Sequence, residues 1–271
     1  MKDRNKWDAT TYHCISTIQE KWGKDVLERK KWNANEIVMD AGCGSGRVTK
    51  RLVEKVGKGG FVYAVDIDTN MINQAKEYLS SFKNVLVIKS DLLNVELPRR
   101  VDVIFSNAVL HWILDHKRLF KQFWKLLSEE SNNENKEMKG RGLLLAQCGG
   151  YGNLDKVYSL MNQIRGLSEF EAYFVNWKEP WYFAKPEDTE KLLKQTGFKN
   201  IKTYLSDGTT TFTNRTSYSI FVETVIIKPF LEYLPNEKVK RSFLKTFLDN
   251  IEQTGLAWTL DYVRLNIVAQ K

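Results

Sequence analysis

The chain has little of what metal centres and disulfide frameworks are made from. Three cysteines (Cys14, Cys43 and Cys148) and three histidines (His13, His111 and His116) are scattered through 271 residues. The thiols are odd in number and show neither metal-ligand nor framework spacing, so no metal and no stapled fold is expected. Long apolar runs are missing as well. Nothing approaches the roughly 20 continuous apolar residues of a membrane helix. The first residues, MKDRNKWDATTY, carry charges with no apolar segment after them, so no secretory leader is expected and the default location is cytoplasmic. Strong charge asymmetry is also absent. The net charge is +8, but basic clusters such as Arg29, Lys30 and Lys31 have acidic neighbours. Such mixing reads as a solvated surface and argues against a nucleic-acid partner. No membrane partner is expected either.

What is present is core-forming material, 42% hydrophobic and 12% aromatic, in a length that suits one elaborated domain. The pattern alternates. Residues 36–39 (EIVM) form a short apolar run ending at Asp40 and a glycine-rich turn, and residues 48–56 follow at helical spacing until the GKGG of 57–60. Strands are then predicted over 61–65, 85–88, 101–105 and 143–147, with helices over 70–78 and 117–127 between them. The polar stretch 128–139 reads as a loop. The second half loses this rhythm: helices are predicted over 153–166, 187–195, 217–233 and 237–252, and strands over 201–205 and 262–269. The 217–233 helix is interrupted or ended near Pro229, and the next pieces are bounded by Pro235. Strands alternating with helices imply an α/β fold, a mostly parallel sheet covered on both faces.

Open parallel sheets bind ligands beyond the carboxyl ends of their strands, where strand order reverses. Asp40, Gly42, Cys43, Gly44 and Gly46 lie at such a turn after the first strand. Glycines there allow close backbone approach, and the following helix presents free N–H groups. Asp66, closing the second strand, is placed to accept hydrogen bonds from ribose hydroxyls. Dinucleotide dehydrogenases use a similar loop, usually as Gly-x-Gly-x-x-Gly; here the spacing is Gly-x-Gly-x-Gly. Asp91 after the third strand and Asn107 after the fourth complete an ordered set of polar groups at four successive strand ends.

With these residues in hand, the segment 36–147 resembles the class I S-adenosylmethionine-dependent methyltransferases. The resemblance implies a Rossmann-like seven-stranded sheet whose last strand is antiparallel, and S-adenosylmethionine as cofactor. By it, the loop from Asp40 to Gly46 and Asn107 carry the methionine portion, Asp66 the ribose, and Ile67, Asp91 and Leu92 the adenine. More loosely, Trp7, Tyr12, Gln19 and Trp22, the segment LHWILD at 110–115 and the stretch VIIKPFLEYLP at 225–235 are similar to a narrower group. These are the trans-aconitate, juvenile-hormone-acid and malonyl-carrier carboxyl O-methyltransferases.

That likeness implies a single domain with N-terminal lid helices (1–35), a cofactor-binding core (36–150) and late strands with a helical cap (151–271). It implies a small carboxylic acid as methyl acceptor, bordered by Gln19 and Trp112, with His111 a candidate base or a structural histidine. Tyr12 either reaches the cofactor or packs the lid. Tyr173, Phe174, Trp177, Trp181 and Tyr182 either line an apolar acceptor pocket or form the core of the cap. The competing functions are an N- or C-methyltransferase for another small molecule, and a non-catalytic protein that binds the cofactor or RNA.

Overall fold

The computed structural model describes residues 17–129, 142–254 and 258–271. Trp7, Tyr12 and the lid before residue 17 therefore lie outside the described residues, as do 130–139 of the polar stretch. Seven strands form one sheet in the order β3-β2-β1-β4-β5-β9-β6. These are β1 (Ile37–Ala41), β2 (Phe61–Asp66), β3 (Val85–Lys89), β4 (Val103–Asn107), β5 (Leu143–Gly149), β6 (Lys199–Asp207) and β9 (Val263–Gln270). The first five run parallel, and β9 is antiparallel to both β5 and β6. Strand order reverses between β1 and β4, so the turn after β1 opens at the switch point where such sheets bind ligands.

Strands β1, β2, β4 and β5 are buried on both faces, which is why they read as continuous apolar runs rather than alternating ones, whereas the edge strands β3 and β6 are half-buried to exposed. On one face lie α4 (His116–Leu126) and α6 (Pro186–Thr196), burying Leu119, Phe120, Phe123 and Leu193. On the other lie α1 (Thr17–Leu27) and α2 (Arg47–Val56), burying Val26, Leu27, Leu52, Val53 and Val56. Each such side chain contributes about 1.5–3 kcal/mol of burial. Helix α3 (Thr69–Tyr78) starts where Asp68 accepts hydrogen bonds from the N–H groups of Asn70 and Met71.

A second core lies under the late helices α5 (Asp155–Arg165), α7 (Arg215–Phe221), α8 (Lys228–Leu231) and α9 (Glu237–Gln253). Trp181 and Phe174 are buried in it, Trp177 stacks on Phe230 at 4.4 Å, and Tyr173 and Tyr182 stay exposed. Three local expectations need correction. The helix expected over 217–233 is three pieces, because Val222–Ile226 winds as a π-helix before Pro229 opens α8. The fourth strand starts at Val103 rather than Val101, whose backbone instead bridges to Leu127. A two-residue ribbon, β7 (Thr210–Thr211) with β8 (Thr259–Leu260), was not expected. No helix of the described residues is long and apolar enough to cross a membrane.

Candidate active site

The glycine loop leaves β1 and immediately turns back. Gly42 and Cys43 both donate their N–H groups to Val65 O on β2, and Gly42, Gly44 and Gly46 all hold positive φ. At Gly42 the turn is also crowded: a Cβ there would meet Val109 Cγ2 at 2.1 Å. The loop wraps a cleft of about 60 Å³ lined by Gln19, Asp40, Gly42, Gly44, Arg47 and Asn107 among others.

Two carboxyl groups stand beside it, Asp40 buried and Asp66 half-buried. Asp40 accepts a hydrogen bond from Thr49 Oγ1 at 2.7 Å. Burial, opposed by the Thr49 bond and reinforced by the Asp66 charge, pushes Asp40 up to about 7. Asp66 accepts Gly44 N–H at Oδ2 and Asp68 N–H at Oδ1, both at 2.9 Å. Burial raises its pKa, and those two N–H groups oppose the rise. Each carboxylate oxygen keeps a second lone pair, so accepting from backbone does not stop it from accepting from a hydroxyl.

Opposite the loop, Asn107 Nδ2 donates to Gln19 O at 2.8 Å, which brings β4 and α1 together over the cleft. Gln19 is only 8% exposed. Gln19 Oε1 and Asn107 Oδ1 are buried with no hydrogen-bond partner among the described residues. Buried polar atoms are nearly always satisfied, so two acceptors left over at one cleft suit a ligand that brings a donor, such as an ammonium. The donor set therefore fits the amino-acid tail of S-adenosylmethionine. At the mouth, Glu20 of α1 pairs with Arg47 at 2.5 Å and with Arg51 at 2.7 Å.

The remaining sequence candidates follow β2 and β3. Ile67, after β2, is 49% exposed. Asp91 caps the turn after β3 by accepting Leu93 N–H at 2.9 Å, while Leu92 is buried in the main core. The Cys43 thiol is buried, and burial raises its pKa well above the usual value, so it stays a thiol.

Gln19 thus sits at the loop, whereas His111 and Trp112 are not among the residues lining its cleft. They form a 3-10 turn (Leu110–Trp112) after β4. Trp112 packs edge-on to Trp181 at 6.1 Å, against the cap. His111 is buried between Trp112 and Phe183, and its Nδ1 accepts the Gly149 N–H at 3.2 Å. Burial first, then the Arg264 charge, hold the imidazole well below its ordinary pKa. The ring is therefore neutral, with its proton on Nε2.

Arg264 itself was missed by sequence reasoning, which treated 262–269 only as a strand. The available signal was a cation inside an apolar pattern, VRLNIVA, at 263–269.

A family model described as a methyltransferase domain matches residues 38–130. An uncharacterized methyltransferase of Schizosaccharomyces pombe is 26% identical over 274 residues, covering 98% of each chain. The juvenile hormone acid O-methyltransferase of Bombyx mori is 24% identical, covering 90% of this chain and 84% of that one. Among solved structures, the phosphoethanolamine N-methyltransferase 2 of Haemonchus contortus, in complex with phosphomonomethylethanolamine and S-adenosylhomocysteine, matches with a TM-score of 0.60 at 19% identity. It covers 99% of this chain and 59% of its own.

Proposed function

The chain is an S-adenosylmethionine-dependent methyltransferase with the class I fold, and on that premise we propose that it methylates a carboxylate oxygen of a small organic acid. The bound cofactor supplies a methyl carbon on a sulfonium; the carboxylate forms the new C–O bond, the C–S electron pair goes to sulfur, and no proton moves. The chain's own work is to bind, orient and exclude water. The loop from Asp40 to Gly46, with Gln19 and Asn107, holds the amino-acid tail. Asp66 takes the ribose hydroxyls. Ile67 and Asp91 border the adenine, with Leu92 committed to the core below. Trp112 walls the acceptor side.

The observation that carries the acceptor assignment is the hydrogen bond from Gly149 N–H to His111 Nδ1. It occupies the one imidazole nitrogen that is able to take a proton, leaving an Nε2–H donor. The groups around His111 do not replace it. Burial pushes the Cys148 thiol up to about 12, and burial holds the His116 imidazole, whose Nε2 donates to Leu110 O, below its ordinary pKa and so makes it a weaker base. An alcohol or ammonium acceptor needs a base; a carboxylate is already ionised at neutral pH and does not. The name of the Bombyx mori relative, an acid O-methyltransferase, points the same way.

The test is labelled methyl transfer from S-adenosylmethionine to a panel of short di- and tricarboxylates, medium-chain fatty acids and arylacetates, beside matched alcohols and amines and an RNA. Base-labile methyl esters of one or more acids are expected. Transfer to amines or RNA with every acid untouched overturns the assignment.

A further inference from the structure

We propose that Arg264 is the cation that receives the acceptor's carboxylate, which makes it the specificity-determining residue of the acceptor site. The inference rests on the carboxylate reading above. Its basis is where the fold puts one guanidinium. Arg264 is the second residue of β9, in register with Gly149 at the end of β5 and with Ser206 of β6. This is the carboxyl edge of the parallel strands, where ligands bind. The side chain is only 2% exposed. Its guanidinium lies over the Trp22 ring at 4.2 Å and near the Tyr262 ring at 5.9 Å, and those two rings meet edge-on at 4.8 Å. Gly208 leaves room for its stem, since a Cβ there would come within 2.8 Å of Arg264 Cγ.

Helix α1 links this cation to the cofactor. Gln19, lining the cleft of the glycine loop, and Trp22, covering Arg264, are three residues apart on α1. That spacing places them on one helix face, about 5–6 Å apart at Cβ. The guanidinium is thus about one helical turn along α1 from the cleft. Stacking engages the flat faces of a guanidinium, whereas carboxylates bind at its N–H edge. The two modes do not compete, so the Trp22 ring holds the guanidinium in place without using the edge an acid would approach. His111 is close enough for the Arg264 charge to help depress its pKa, and its Nε2–H is a second donor on the same side of the sheet's carboxyl edge as Gly149, whose N–H donates to its Nδ1.

The charges give this role a kinetic signature. Methylation turns an anion into a neutral ester, so the attraction to Arg264 is largest in the bound acid and weakens as the new bond forms. An interaction stronger in the ground state than in the transition state lowers KM without raising kcat. The neutral ester, once made, is no longer held.

The experiment takes the acid of the panel with the highest turnover and compares the wild type with Arg264→Met. Expected is a KM raised roughly 10- to 100-fold with kcat unchanged or higher, and calorimetric binding of the acid to the S-adenosylhomocysteine complex weakened in parallel. Binding of the acid's primary carboxamide should not change between the two proteins. A structural role instead lowers kcat and weakens S-adenosylhomocysteine and carboxamide together, and that result overturns the inference; so does an unchanged KM. If Arg264→Met does not fold, Arg264→Lys carries the test, since it keeps the charge but loses the fork; a raised KM at unchanged kcat supports the role and an unchanged KM refutes it. A wild type that methylates no acid refutes the carboxylate reading itself, which separates the two failures.

Discussion

Asn107 donates its side-chain Nδ2 to the backbone oxygen of Gln19 at 2.8 Å, across 88 positions of sequence. That bond joins the end of β4 to α1, and both residues line the cleft of the glycine loop and carry a buried amide oxygen with no hydrogen-bond partner among the described residues. Asn107→Ala removes the tie and one of those acceptors. The expected result is a stability loss of about 1 kcal/mol and S-adenosylhomocysteine binding weakened about tenfold, since 1.4 kcal/mol is a factor of ten. Asn107→Asp keeps acceptor oxygens but cannot donate to Gln19, so it should lose the stability and keep most of the affinity. Thermal melts and calorimetry read the two separately. Equal loss of affinity in both variants contradicts the assignment of the amide oxygen.

Gly42 and Gly44 share a loop but not a constraint. Both hold positive φ, at 90° and 53°, yet an added Cβ meets Val109 at Gly42 and nothing within 4 Å at Gly44. Gly44→Ala should cost the ligand-free protein only the left-handed strain, about 1–2 kcal/mol. Gly42→Ala adds overpacking of about 1–3 kcal/mol and should melt distinctly lower. Denaturant titration of the two variants is enough, and identical midpoints refute the distinction.

Asp40, pushed up to about 7 mainly by burial, should release a proton when a cationic tail binds beside it. The sign follows from linkage. Native Asp40 holds its proton over the range from the ordinary carboxylate value of 3.8 up to about 7, where the unfolded chain has lost it. This group therefore stabilises the ligand-free fold below 3.8 and loses that contribution as pH rises through about 7. A bound ammonium favours the carboxylate and reverses the trend for the complex. Affinity for S-adenosylhomocysteine should thus rise with pH up to about 7 and then level off. Calorimetry in two buffers of different ionisation enthalpy measures the released proton directly. No proton released at pH 6.5 refutes the coupling.

The pair formed by Glu20 with Arg47 and Arg51 is only half-buried. Burial lifts the pKa of Glu20, and the two guanidiniums more than offset the lift. A lowered carboxylate pKa stabilises above the unfolded value and is lost as pH falls through the folded one. Glu20→Gln should therefore cost about 1 kcal/mol or less at neutral pH, less again at 1 M salt, and nothing at low pH. A loss that ignores salt and pH argues for packing instead.

The first half of the fold was legible because its signals are local. Buried parallel strands show as apolar runs, and the glycines and Asp68 punctuate them, so β1, β2, β3 and β5 fall within two residues of expectation. Part of the cleft was legible for the same reason: Asp40 and Asn107, which line it, lie at the ends of β1 and β4. The late region was not. Hydrophobic spacing cannot tell an α-helix from a π-helix at Val222–Ile226, and β7 and β8 are two residues each. Nor does local pattern announce a partner far along the chain. Arg264 meets Trp22, and Arg29 meets Asn266 across 237 positions, only because β9 enters the sheet beside β5 under α1. The proposed acceptor end of the site is assembled almost wholly from such distant meetings.

The position of β9 also sets a timetable for synthesis. In the sheet, β6 touches no strand but β9, yet β9 leaves the ribosome more than 50 residues after β6. The five parallel strands have all their mutual partners by residue 149, so that half is free to fold while translation continues. The edge strand must wait, its backbone edge unpaired, until β9 arrives to join it to the sheet. Chaperone dependence should therefore concentrate in a nascent chain that has passed β6 but not yet exposed β9.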